Sequence, residues 1–165
     1  MNNKQWFQEE AKFGMMIHWG LYTLLAGEYR GKRIPHIGEW AQSYFEIPNA
    51  EYEKLAEAFN PIYFDPEEWV LAAKAAGMNY MVVTSKHHEG FCLFHSAYDT
   101  FNVVDGTPFG RDVIGELSQA CPKARIKVRT LLFPGARLAR AKRRRLQVGQ
   151  NQLRRNVLDK LLGLS

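Results

Sequence analysis

The sequence predicts a parallel α/β fold, and three observations predict it. Tyr80-Met81-Val82-Val83, bounded by Gly77 and Gly90, is a short continuous apolar run of the kind that forms a strand covered on both faces. A helical pattern ending in Gly77 precedes it, and a second apolar run, Phe13 to Gly20, precedes that. Strand, helix, strand is the grammar of a parallel sheet, whose neighbouring strands need a crossover between them. Both runs also stop in polar company, His18-Trp19 after the first and Lys86-His87-His88-Glu89 after the second. Parallel sheets place their chemistry at the carboxyl ends of their strands, which is where these residues fall.

Taken in order, Phe7 to Glu10 reads as a short amphipathic turn, and Phe13 to Gly20 as a buried strand. Leu21 to Pro48 reads as one long irregular connection containing Gly38-Glu39-Trp40, and a connection of that length in a compact domain is usually functional. Asn49 can cap a helix whose apolar face is Tyr52, Leu55, Ala56 and Phe59, ended by Asn60-Pro61. Asp65-Pro66-Glu67-Glu68 is a helix start with Asp as N-cap and Pro at the first helical position. Trp69, Ala72, Ala73 and Ala76 are the expected buried face, and Gly77 supplies the left-handed stop. The strand over 79–85 follows, then a short apolar piece Phe91–Phe94, a loop from Ser96 to Gly110, and a helix from Arg111 to about Cys121. Ile126 and Val128 begin a third strand; Ala136–Arg145 and Gln150–Leu162 have helix-forming composition without an apolar face.

The totals bound the class. With 165 residues, 46% apolar and 24% charged, the chain suits one soluble globular domain. No stretch approaches the ~18–20 apolar residues of a membrane span, and the first ten residues lack a signal-peptide core, so a cytoplasmic protein without membrane association is expected. Cys92 and Cys121 form no metal or disulfide pattern and read as packing residues. The net charge of +5 conceals a seam. Residues 123–165 hold 13 of the 22 Lys and Arg against one acid, Asp159, whereas residues 1–122 hold 16 acids against 9 bases. Of the 21 aromatic residues, 20 precede residue 123, as do all five His.

His18, Glu39, Trp40, His87 and His88 are the candidate site residues. Adjacent imidazoles point to opposite faces if a strand continues through them, so His87-His88 makes a poor bidentate metal site even with His18 as a third ligand. No metal or cofactor is called for. Imidazoles, a carboxylate and indoles gathered at strand ends and in a long loop suit a sugar: aromatic rings take its apolar face, and His, Glu and Lys bond its hydroxyls. On spacing alone, the less favoured alternative is that Trp19 and Trp40 are core residues.

These segments resemble, in order and without large gaps, the α-L-fucosidases of glycoside hydrolase family 29. The similarity is carried by Lys12-Phe13-Gly14-Met15-Met16-Ile17-His18-Trp19-Gly20-Leu21-Tyr22, Gly38-Glu39-Trp40, Phe59-Asn60-Pro61, Phe64-Asp65-Pro66-Glu67-Glu68-Trp69, Ala76-Gly77, Lys86-His87-His88-Glu89-Gly90-Phe91 and Arg111-Asp112-Val113-Ile114-Gly115-Glu116-Leu117. It spans about residues 6–127. It implies the N-terminal part of an eight-stranded (β/α) TIM barrel, with His18, Glu39, Trp40, His87 and His88 lining a fucose pocket and a fucosylated glycan or glycoconjugate as partner. It also implies retention through an Asp nucleophile and an acid/base carboxylate ~5–5.5 Å apart. Both come from later strands, beyond the matched segment, so the 165-residue chain is expected to be inactive alone.

The resemblance breaks at Val128. The family's strand reads roughly Gly-Ile-Lys-Phe-Gly-Leu-Tyr-Tyr-Ser-Gln, whereas here Ile126-Lys127 leads into Val128-Arg129-Thr130-Leu131-Leu132-Phe133-Pro134-Gly135. Synonymous codons can be chosen for residues 128–141 that, read one base later, give Phe-Gly-Leu-Phe-Tyr-Ser-Gln-Ala-Leu-Asp-Trp-His-Glu. The expected division is therefore 1–127, barrel, and 128–165, a basic tail translated out of frame, disordered or helical. Two rival readings are a small carbohydrate-binding or scaffold protein built on the half-barrel, and a nucleic-acid binder using Lys142-Arg143-Arg144-Arg145 and Arg154-Arg155. The second lacks interleaved aromatics and any reading motif, so no specific nucleic acid is expected. The oligomeric state is left open.

Overall fold

The computed structural model describes residues 3–133. The expected helices at Ala136–Arg145 and Gln150–Leu162 lie outside the described residues. Helix α1, Asn3–Trp6, runs into a wide helical turn, Phe7–Ala11, and delivers the chain to strand β1, Gly14–Ile17. A 3₁₀ turn follows at Leu21–Leu25, then a two-residue hairpin of β2, Glu28–Tyr29, and β3, Lys32–Arg33. A second 3₁₀ turn, Gly38–Trp40, leads into α2, Ala41–Tyr44, and then α3, Asn49–Tyr52, which tightens to 3₁₀ geometry through Ala58. Helix α4, Pro66–Ala75, strand β4, Tyr80–Lys86, helix α5, Val113–Lys123, and strand β5, Lys127–Leu132, complete the order.

The main sheet is parallel, in the order β1-β4-β5. Gly14 faces Tyr80 across one pair and Tyr80 faces Lys127 across the other, so β4 is the central strand. That position explains its composition: Met81, Val83, Thr84 and Ser85 are buried, as a strand flanked on both edges and covered on both faces must be. The connection β1→β4 runs through α3 and α4, and β4→β5 through α5. Strand β5 continues in register through Val128, Arg129, Thr130 and Leu131, past the position where the resemblance breaks. Backbone ladder bonds accept any residue with an amide hydrogen, and Val, Thr and Leu are compatible with a strand at that place.

Helix α4 begins as the sequence indicates. Asp65 caps it, its Oδ1 accepting from the amides of Glu67 at 2.8 Å and Glu68 at 3.2 Å, with Pro66 at the first helical position. Gly77 ends the segment at φ 77°, where a β-carbon would be strained. Its buried face differs from the expected one: Val70 and Ala73 are buried with Trp69 packed beside them, while Ala72 and Ala76 are exposed. The cap of α3 also differs. Pro48 occupies the N-cap position, and Asn49 Oδ1 instead accepts from Gln42 Nε2 at 3.0 Å. Strand β1 is half-buried rather than buried, with Met16 49% exposed, because it pairs along one edge only among the described residues.

Arg111-Asp112 serves structure. Asp112 caps α5 through the amide of Gly115 at 2.7 Å and accepts from the amide of His95 at 3.2 Å. Arg111 Nε donates to Glu116 at 2.9 Å, and its guanidinium lies over the Phe64 and Phe109 rings. The core gathers Leu21, Tyr52, Phe59, Met81, Val83, Phe91, Leu93 and Leu117 between the sheet and these helices. Cys92 and Cys121 are buried free thiols, and burial pushes both up to about 11, so they act as packing groups. Among the described residues no helix is long and apolar enough to cross a membrane.

Candidate functional site

The site forms where β4 ends. The strand stops at Lys86, and the next four residues close a turn in which the amide of Gly90 donates to the carbonyl of His87 at 3.1 Å. Gly90 adopts φ 91°, a conformation that glycine reaches without a β-carbon penalty. Because the strand does not continue, His87 and His88 do not alternate to opposite faces. Their rings meet edge to face at 4.7 Å.

The 3₁₀ turn at Gly38–Trp40 brings the second part of the site from the long connection. The Trp40 and His88 rings are 4.3 Å apart and tilted 31° to one another, and Trp40 is 42% exposed. His18, from the segment after β1, approaches His87 at 5.7 Å, and Tyr22 packs on the same imidazole at 5.5 Å. A cleft of about 390 Å³ lies against this cluster, lined by Glu39, Trp40, Gln42, Ser43, Glu46, Ile47, Asn49, His88 and Glu89.

The structure thus brings Glu39, Trp40 and His88 together on one cleft wall, with His87 buried directly behind and His18 beside it. Trp19 goes elsewhere. Its ring packs among Phe59, Phe64 and Trp69 at 5.2–5.5 Å, and its amide donates to Thr84 Oγ1 at 3.3 Å. Lys86 is absent from the cleft lining and sits next to the Cys92 thiol. Phe133 closes over the imidazoles, 4.8 Å from His87 and 4.5 Å from His88, tied down by its amide donating to the Lys86 carbonyl at 2.9 Å.

Burial governs the electrostatics. It lowers the His88 pKa from its ordinary value, as does the neighbouring His87, with Glu89 opposing both. Burial raises the Tyr22 and Tyr52 phenols, opposed at Tyr22 by the nearby Thr84 hydroxyl and reinforced at both by the Glu89 carboxylate, so both remain neutral hydroxyls. Glu89 and the lining residues Gln42, Ser43, Glu46 and Asn49 are absent from the candidates that the sequence offers. The four from 42–49 are ordinary polar residues and leave no signal. Glu89 does leave one: a carboxylate two residues after a strand-end His, immediately before a turn glycine. Among the described residues no three His, Cys, Asp or Glu side chains form a group that could hold a metal ion.

The family profile described as alpha-L-fucosidase matches residues 1–132. The chain belongs to the α-L-fucosidase family. Tissue alpha-L-fucosidase of Rattus norvegicus is 38% identical over 130 residues, covering 74% of this chain and 28% of that protein. The tissue enzyme of Homo sapiens is 35% identical over the same length, with 27% of it covered. Among solved structures, α-L-fucosidase AlfC from Lactobacillus casei, in complex with α-L-fucose product, superposes with a TM-score of 0.75 at 59% identity, covering 77% of this chain and 39% of AlfC. A family 29 fucosidase from Bacteroides thetaiotaomicron gives 0.75 at 37% identity, with 30% of it covered. The chain therefore spans roughly a quarter to two-fifths of the length of these relatives. The fold of the matched part is the α/β fold of these enzymes.

Proposed function

We propose that residues 1–127 are the N-terminal part of the (β/α)8 barrel of a retaining α-L-fucosidase, that they bind the terminal α-L-fucosyl unit of a glycan or glycoconjugate, and that the tail from Val128 is out-of-frame translation. The observation that carries this reading is the half-exposed Trp40 ring packed, tilted, against His88 in a cleft shared with Glu39. An exposed indole beside an imidazole and a carboxylate fits a small amphipathic ring: the indole takes a C–H face, and the polar groups bond hydroxyls. His87 lies buried behind His88, with the His18 ring packed on it at 5.7 Å.

The hydrolytic step needs two carboxylates flanking the glycosidic bond. Glu39 is a binding carboxylate in this account. The nucleophile and the acid/base belong to strands after β5 in an entire barrel, so the 165-residue chain binds fucose without turning over a fucoside. AlfC is also known in complex with Fucα(1,6)GlcNAc, which makes that disaccharide the first glycan to test.

Two measurements check the proposal. The purified chain should bind α-L-fucose, lose that binding in His18→Ala, and release no 4-nitrophenol from 4-nitrophenyl α-L-fucoside; measurable hydrolysis would sink the account. Independent resequencing around codons 124–130 should find one base gained or lost relative to a frame encoding Phe-Gly-Leu-Phe-Tyr-Ser-Gln. A gene lacking any such frame would remove the out-of-frame reading of the tail.

A further inference from the structure

His87 and Glu89 form a pair that the fucose-binding residues alone do not account for. Both side chains are nearly sealed from solvent, 5% and 2% exposed. His87 Nδ1 and Glu89 Oε2 stand 3.5 Å apart, and neither atom has a hydrogen-bond partner among the described residues. A buried carboxylate left alone costs several kcal/mol, roughly, so it is retained where a donor faces it. Among the described residues the nitrogen that faces Glu89 Oε2 is His87 Nδ1.

Local structure is arranged to hold this pair. The turn closed by the Gly90 amide on the His87 carbonyl holds Glu89 beside the imidazole, at the inner edge of the cleft that His88 also lines. Gly20 leaves room on the far side: a β-carbon there would come within 3.1 Å of Glu89 Oε1 and 3.0 Å of the Tyr22 ring. Tyr22 packs edge-on against His87, and the His18, His88 and Phe133 rings lie 5.7, 4.7 and 4.8 Å from it. The imidazole can still choose which nitrogen carries its proton.

We propose that Glu89 is the positioning residue of the site, fixing His87 as the neutral Nδ1–H tautomer by accepting that proton at Oε2 and leaving Nε2 as a hydrogen-bond acceptor. A neutral imidazole has one donor and one acceptor nitrogen, and the partner of one nitrogen decides the role of the other. An Nε2 acceptor takes a sugar hydroxyl proton, a preference that an unassigned tautomer could not enforce. The consequence for sugar binding rests on the fucose reading above, whereas the tautomer does not.

The test is long-range ¹H–¹⁵N correlation NMR on the whole 165-residue protein at pH 8, with His87 assigned through His87→Asn. The expected spectrum shows His87 protonated at Nδ1. Glu89→Ala should move it to the Nε2–H form or a mixture, with a tenfold or greater loss of α-L-fucose affinity. Glu89→Gln, whose amide oxygen still accepts, should keep the tautomer. A wild-type His87 protonated at Nε2, or one indifferent to Glu89→Ala, would overturn the proposal, and the wild-type spectrum decides this even if a variant does not fold. The Nδ1–H tautomer in a protein that ignores fucose would uphold the role of Glu89 and sink the sugar reading instead.

Discussion

The two ends of the central strand differ in how completely their polar groups are satisfied. At the amino end Asn79 Nδ2 donates to the carbonyls of Glu10 and Ala11 at 3.3 and 3.2 Å. Its amide donates to Phe13, and its carbonyl accepts from Lys127, both near 3 Å. The Lys127 ammonium sits 3.7 Å from the centre of the Trp6 ring, and Trp6 packs edge-on against Tyr80. At the carboxyl end His87 Nδ1, Glu89 Oε2 and the Tyr52 hydroxyl are buried without a hydrogen bond among the described residues, and an indole stands in solvent. One end is built to hold the strands together. The other leaves the Trp40 indole, the His88 imidazole and the Glu39 carboxylate on an open cleft, the properties of a site that stabilises something other than itself.

Four changes break or sharpen that contrast. Leu117, fully buried on α5, lies in the core that both ends share. Leu117→Ala should cost about 2–5 kcal/mol in a chemical denaturation series and abolish fold and binding together. Trp40→Ala should act at the carboxyl end alone, weakening α-L-fucose at least tenfold, about 1.4 kcal/mol, with the thermal midpoint unchanged. A comparable fall in stability would mean that Trp40 is a packing residue. Asn79→Ala is the mirror of that variant: it should remove about 1 kcal/mol of stability and leave fucose affinity where it was.

The smallest effect is the pH response of His88. Its pKa lies below the ordinary 6.5 in the folded state because burial disfavours the cation, so the unfolded chain binds the proton more readily. Stability from this group is full above pH 6.5 and falls as the pH drops below that value. Thermal midpoints at pH 8 and pH 5 should therefore differ more in the wild type than in His88→Asn. A larger difference in the variant would reverse the sign and contradict the placement of His88.

How much of this was legible followed from local contrast. Strand β4 could be read because its apolar run is bounded by two glycines, and the start of α4 because Asp65-Pro66 can do little else. The face of α4 could not, since Trp69-Val70-Leu71-Ala72-Ala73 is apolar all round and only packing against α5 selects Val70 and Ala73. The connection 21–48 contains more structure than its composition suggests. Its hairpin turns at Arg30 and Gly31, both at positive φ, but strands of two residues show no alternation to read. Of the residues that the sequence names, Glu39, Trp40 and His88 line one cleft, while His87 is buried behind it and His18 packs on His87. What sequence could not give is the division of labour: Trp19 and Trp40 each adjoin a titratable group, yet one completes the core and the other the cleft.

The central claim is that the carboxyl end of β4 is a fucose pocket. Isothermal titration of the 165-residue protein with α-L-fucose, against its mirror image D-fucose, tests it most directly. Saturable binding of the L sugar, weakened at least tenfold in Trp40→Ala and absent for the D sugar, is the predicted result. Equal heats for the two enantiomers, or binding untouched by Trp40→Ala, would contradict it.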